Sequence, residues 1–163
     1  SGWNARQVQT IADRLAGVGA RLAFVGPNAL SPVNTRLLET STATVILGPR
    51  PYTEVPAYLQ HADVLIVPHL VDEFTESLDP IKLYEYEAVG RPIAATPVAG
   101  FRDLAGTPGV LIAPAERFAA ELAQLIEAPP DRVGPFEPAD WGDRVDAMQS
   151  VLERAAARNN EAP

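Results

Sequence analysis

Lysine occurs once in this chain, at Lys82, and it falls one turn inside a helix that the sequence marks clearly. The stretch SLDPIKLYEYEAVGRPIAAT, residues 77–96, reads as loop, helix, tight turn and buried strand. Asp79 is placed to cap the helix, and Pro80 suits its first position, where a missing N–H costs nothing. The helix runs to about Val89, and Gly90 stops it in the left-handed conformation that glycine adopts cheaply. Lys82 and Glu85 are three residues apart, so they share one face near the N-terminus. An anion can sit at such a terminus, held by free N–H groups and the helix dipole. The amides of Ile81 and Lys82 would face it, and the Lys82 ammonium adds full charge. Glu85 can accept hydrogen bonds from a neutral polyol such as ribose. Asp79 works against this arrangement, because a capping carboxylate would occupy the same amides and repel phosphate. The plainer alternative is a Lys82–Glu85 ion pair worth only ~0.3–0.5 kcal/mol.

The elements that must position these residues follow from periodicity. Val8, Ile11, Leu15 and Val18 recur at helical spacing over residues 5–18. Arg21 to Gly26 reads as a strand closed by Gly26-Pro27, and residues 32–39 as a short helix. Thr44 to Leu47 is the next strand, followed by Gly48-Pro49-Arg50. Tyr52 to His61 reads as a helix with Val55, Tyr58 and Leu59 inward, and Asp63 to Val67 as the most continuous apolar strand. After the 77–96 segment come a turn at Phe101–Leu104, a strand at Val110–Ile112 and a helix over 115–127. A Pro/Gly-rich connector leads to a final helix with Trp141, Val145, Met148 and Leu152 on one face. Strands that alternate with helices and are apolar throughout predict a parallel sheet with helices on both faces, an α/β, Rossmann-like fold. Ligands then bind at the carboxyl ends of the strands. The loops there are Gly26–Asn28, Gly48–Arg50, Pro68–Pro80 and Pro97–Phe101, and His69 follows a central strand where it could face the cleft.

The bulk composition excludes several classes. At 163 residues the chain fits one domain, expected over residues 1–158 with a flexible tail at 159–163. A domain of that size buries ~70% of its unfolded surface. The net charge of −8 argues against nucleic acid or an anionic membrane as the partner. No cysteine is present, so there is neither a disulfide framework nor thiol chemistry. No apolar run approaches the ~18 residues of a membrane span, and the N-terminus lacks a signal-peptide pattern. The expectation is a cytoplasmic domain. His61 and His69 form no metal site of recognisable spacing. The acidic run Asp72, Glu73, Glu76 and Asp79 reads as a solvated loop. Walker and G-x-S-x-G patterns do not occur.

The run DPIKLYEYEAVGRPIAAT resembles the signature of the C-terminal, nucleotide-sugar-binding half of GT-B-fold glycosyltransferases close to family 4. The resemblance extends through RLAFVGP, VILGPRPYTEVPAYLQHADVLIVP and DEFTESLDP, and onward to GVLIAP and the terminal helix, so over about residues 5 to 155. It implies a donor substrate, a UDP- or GDP-linked sugar, with no cofactor or metal required. Glu85 matches the second glutamate of the family's Glu-x7-Glu motif, which in such enzymes usually binds the donor ribose. Ser77 stands where the first glutamate would be, with Glu76 one residue off. Lys82 and Ser77 are the catalytic candidates. Glu85, Ile81, Lys82, Asp79, Arg50, Tyr52 and His69 are the donor-binding ones, with Arg50 and Tyr52 resembling the region that holds the nucleobase. The family's C-terminal half opens with a strand central in its sheet, whereas this chain opens with a helix. The resemblance therefore implies a missing first strand, a sheet edge open to self-association, and an acceptor-holding N-terminal domain elsewhere. On that reading the 163 residues alone are incomplete and inactive. Two alternatives are a non-catalytic interaction module of the same fold and a nucleotide-sugar epimerase.

Overall fold

A computed structural model describes residues 4–137 and 140–160. The first helix, α1 (Ala5–Ala16), begins where the Asn4 side chain accepts a hydrogen bond from the Arg6 amide. Its apolar positions Val8, Ile11, Ala12 and Leu15 are buried together, as their spacing requires. The chain then passes through β1 (Leu22–Val25), α2 (Pro32–Glu39) and β2 (Thr44–Gly48). α2 starts with Ser31 as cap and Pro32 in its first turn. The helix expected over residues 52–61 forms in two parts, a 3-10 turn at Tyr52–Glu54 and then α3 (Val55–His61). β3 is shorter than its apolar run, Leu65–Val67.

The long segment from Pro68 to Pro80 holds one unanticipated element, α4 (Glu73–Glu76). It is a capping box: Asp72 Oδ1 accepts from the Thr75 amide at 2.9 Å, and the Asp72 amide donates to Thr75 Oγ1 at 2.9 Å. Next come α5 (Ile81–Val89), ended by Gly90 at φ 67°, and β4 (Ile93–Ala95). A 3-10 turn at Phe101–Leu104, β5 (Val110–Ile112), α6 (Ala115–Glu127) and α7 (Trp141–Asn160) complete the order. α7 runs through Asn160, and the last three residues of the expected tail lie outside those described.

All pairings are parallel, as the apolar strands predicted, and helices surround them in a Rossmann-like arrangement. The expectation of one continuous sheet is corrected: β1 pairs with β2, β3–β4–β5 form a second set, and the two sets are not hydrogen-bonded to each other among the described residues. They nevertheless share a core. Leu22 of β1 and Ala94 of β4 lie in one cluster with Val8, Ile11 and Leu15 of α1 and Phe118 and Leu122 of α6. β4 shows how the second set is covered on both sides. Ala94 faces that cluster, while Ile93 and Ala95 face another built from Leu83, Tyr86, Val98 and Phe101. Among the described residues the first set has no such second cover, and Val25 and Ile46 are exposed. Both features depend on how distant segments assemble, which the hydrophobic pattern of a single strand does not specify. α7 also departs from the usual amphipathic outcome, because Trp141, Val145, Met148 and Leu152 are all exposed.

Candidate functional site

The carboxyl ends of β3 and β4 are tied together by a threonine. Thr96 is 1% exposed, and its hydroxyl donates to the carbonyl of His69 at 2.7 Å and lies 3.2 Å from that of Val67. This fixes the chain just after β3, where the site loop departs. Thr75 does the same further along: it is buried, and its hydroxyl donates to the Leu70 carbonyl at 2.7 Å. Two short polar side chains thus hold the loop that delivers the backbone into α5. Neither threonine was singled out by sequence reasoning, although the D-x-x-T spacing at Asp72–Thr75 is a legible cap signal.

The loop after β4 closes in from the other side. Gly100 has φ 79°, and a Cβ there would lie 3.2 Å from Leu83 Cδ2 and 3.3 Å from Pro80 Cδ. Glycine therefore lets this loop pack directly against the first turn of α5. Arg102, in the following turn, makes a two-pronged contact with Glu76, at 2.6 and 2.5 Å. This pair bridges α4 to the β4 loop across 26 residues of sequence, and no local spacing announces it.

Into this frame α5 presents its candidates. Lys82 is exposed and enters no ion pair among the described residues, so the expected alternative of a Lys82–Glu85 bridge does not form. Glu85 is half-buried, and Ile81 is exposed at the helix start. His69 is half-buried near Lys82. Burial, and then the Lys82 charge, hold its imidazole below the usual value of 6.5, against a weaker upward pull from Asp72. The fold therefore brings Lys82 and His69 close together at the end of β3.

Asp79 is where the structure corrects the sequence. It does not cap α5. The cap position is Pro80, with ψ 113° and no capping side chain, so the helix starts at Ile81, one residue later than expected. The Asp79 carboxylate instead accepts from the Tyr84 hydroxyl at 2.7 Å, and lies 4.0 Å from Arg144 on α7. Ser77 closes α4, its hydroxyl donating to the Phe74 carbonyl at 2.8 Å. The loop carboxylates do not converge on a point: Asp72 caps α4, Glu76 meets Arg102 and Asp79 meets Tyr84.

Arg50 and Tyr52 follow β2, in the other strand set. The Arg50 guanidinium donates to Tyr58 at 2.7 Å and lies 5.9 Å from that ring's centroid. Tyr52 is exposed. Among the described residues no hydrogen bond or ion pair joins Arg50 or Tyr52 to the α5 group.

A sequence model of the family described as Glycosyl transferases group 1 matches residues 2–128. A protein of Bacillus subtilis (strain 168), whose name assigns it to teichuronic acid biosynthesis as a glycosyltransferase, is 31% identical over 74 residues. Those residues are 45% of this chain and 19% of that protein, so the chain matches about a fifth of the relative's length.

Proposed function

The chain belongs to the group 1 glycosyl transferases, and from that premise we propose that it is the donor-binding part of such an enzyme. The donor is a nucleoside-diphosphate sugar, UDP- or GDP-linked, and the sugar passes to an acceptor held by another domain. The observation that carries this reading is the start of α5: a helix with no capping side chain, a Lys82 in its first turn that enters no ion pair among the described residues, and His69 beside it at the ends of β3 and β4. A diphosphate is the ligand chemistry that fits, because amides and an ammonium stabilise an anion that grows in charge as the sugar leaves. Glu85, one turn further along, takes the ribose hydroxyls. Ser77 lies toward the transferred sugar, and Arg50 and Tyr52 hold the base. Catalysis in this scheme is positioning together with stabilisation of the leaving diphosphate.

Calorimetric titration with UDP, GDP and ADP, each against its nucleoside, tests the proposal. At least one diphosphate should bind more tightly than its nucleoside, and Lys82→Ala should weaken the diphosphate more. Equal losses for both ligands would contradict a phosphate contact.

A further inference from the structure

Asp79-Pro80 has the makings of a cap and first helical residue, yet the helix begins after it. Asp79 is engaged elsewhere. Tyr84, one turn into α5, donates a hydrogen bond from its hydroxyl to Asp79 Oδ1, and the Arg144 guanidinium of α7 donates to the Tyr84 oxygen. Arg144 also sits 5.2 Å from the centroid of the Tyr84 ring and 4.0 Å from Asp79 Oδ2. Asp79 thus has a phenol on one oxygen and a cation near the other. Its hydrogen bond to Tyr84 favours the protonated phenol, pushing that group upward, so the donor stays a donor. A carboxylate engaged this way does not serve the Ile81 and Lys82 amides.

We propose that Tyr84 and Arg144 are positioning residues that hold the Asp79 carboxylate off the N-terminus of α5, keeping its first amides open. The consequence for ligand binding rests on the donor reading above. A carboxylate released onto those amides would fill the anion's place and repel it. α7, which carries Arg144, therefore contributes to a site it does not line.

Amide NMR of the full chain and UDP or GDP titration, whichever binds the parent more tightly, test this with Arg144→Ala, Tyr84→Phe and each combined with Asp79→Ala. In the single variants the Ile81 and Lys82 amide protons should move downfield as Asp79 caps the helix. They should return toward the parent positions when Asp79 is removed. Diphosphate affinity should fall about two- to fivefold in the single variants, the effect of one charge at a helix end, and recover in the double variants. Nucleoside affinity should stay constant. Unmoved amides in both single variants, or double variants as weak as the single ones, would overturn the proposal. Failure of UDP, GDP and ADP alike to bind the parent chain would overturn the donor reading, and the amide shifts alone would then decide where Asp79 sits.

Discussion

Glu85 is half-buried on α5 and next to Tyr86, whose phenol is pushed up to about 12 by burial and, secondarily, by the Glu85 charge. Lys82, the one cation placed to neutralise Glu85 on its own face, does not pair with it among the described residues. Glu85→Gln should therefore weaken nucleoside and nucleoside-diphosphate binding together while shifting the melting temperature little. Unchanged affinity would remove the ribose assignment. His69 makes a separate prediction in pH. Its folded pKa lies below the ordinary 6.5, so between the two values the unfolded chain binds more protons than the native one. Its contribution to stability is present above about pH 6.5 and is lost as pH falls toward the lowered value. Urea denaturation from pH 5 to pH 8 should show a smaller loss at the acid end for His69→Gln than for the parent. Parallel curves would show that His69 does not titrate in this way.

At the scale of elements, the α4 segment is the part of the site with the most specific support. Thr75 is buried, and its hydroxyl donates to the Leu70 carbonyl while accepting from the Asp72 amide. Valine in its place keeps the volume and removes the hydroxyl, leaving a carbonyl and an amide without that partner. Thr75→Val should cost about 1–3 kcal/mol in denaturant unfolding. A loss under about 0.5 kcal/mol, the usual range of an inconsequential surface change, would mean the segment is held by something else. α5 offers the contrast. Its stop at Gly90 was readable because a positive φ needs glycine whatever the surroundings. Its start was not, because a cap depends on whether the capping side chain is free, and Asp79 accepts from the Tyr84 hydroxyl with Arg144 of α7 beside it.

At the scale of the molecule, the two strand sets each end in edges that are unpaired among the described residues, and α7 exposes Trp141, Val145, Met148 and Leu152 in one stripe. Unpaired edges and exposed apolar faces both recruit partners. The isolated chain is expected to self-associate, with an apparent mass by light scattering that rises with concentration. A constant monomer mass across the micromolar range would contradict this.

What the sequence determined by itself was local in origin. Apolar runs without alternation meant parallel strands, helical spacing placed α1, and Gly90 set the turn before β4. That Lys82 and Glu85 share one face of α5 was also legible, since residues three apart on a helix must do so. Tertiary structure alone decided the rest. It split the strands into two sets, brought Arg102 to Glu76, seated His69 beside Lys82, and turned Asp79 toward Tyr84 and Arg144. The physical reason is common to all four. Hydrogen bonds between strands, ion pairs and charge effects act through space, so the partner can come from any distance along the chain, and only the folded arrangement says which one arrives.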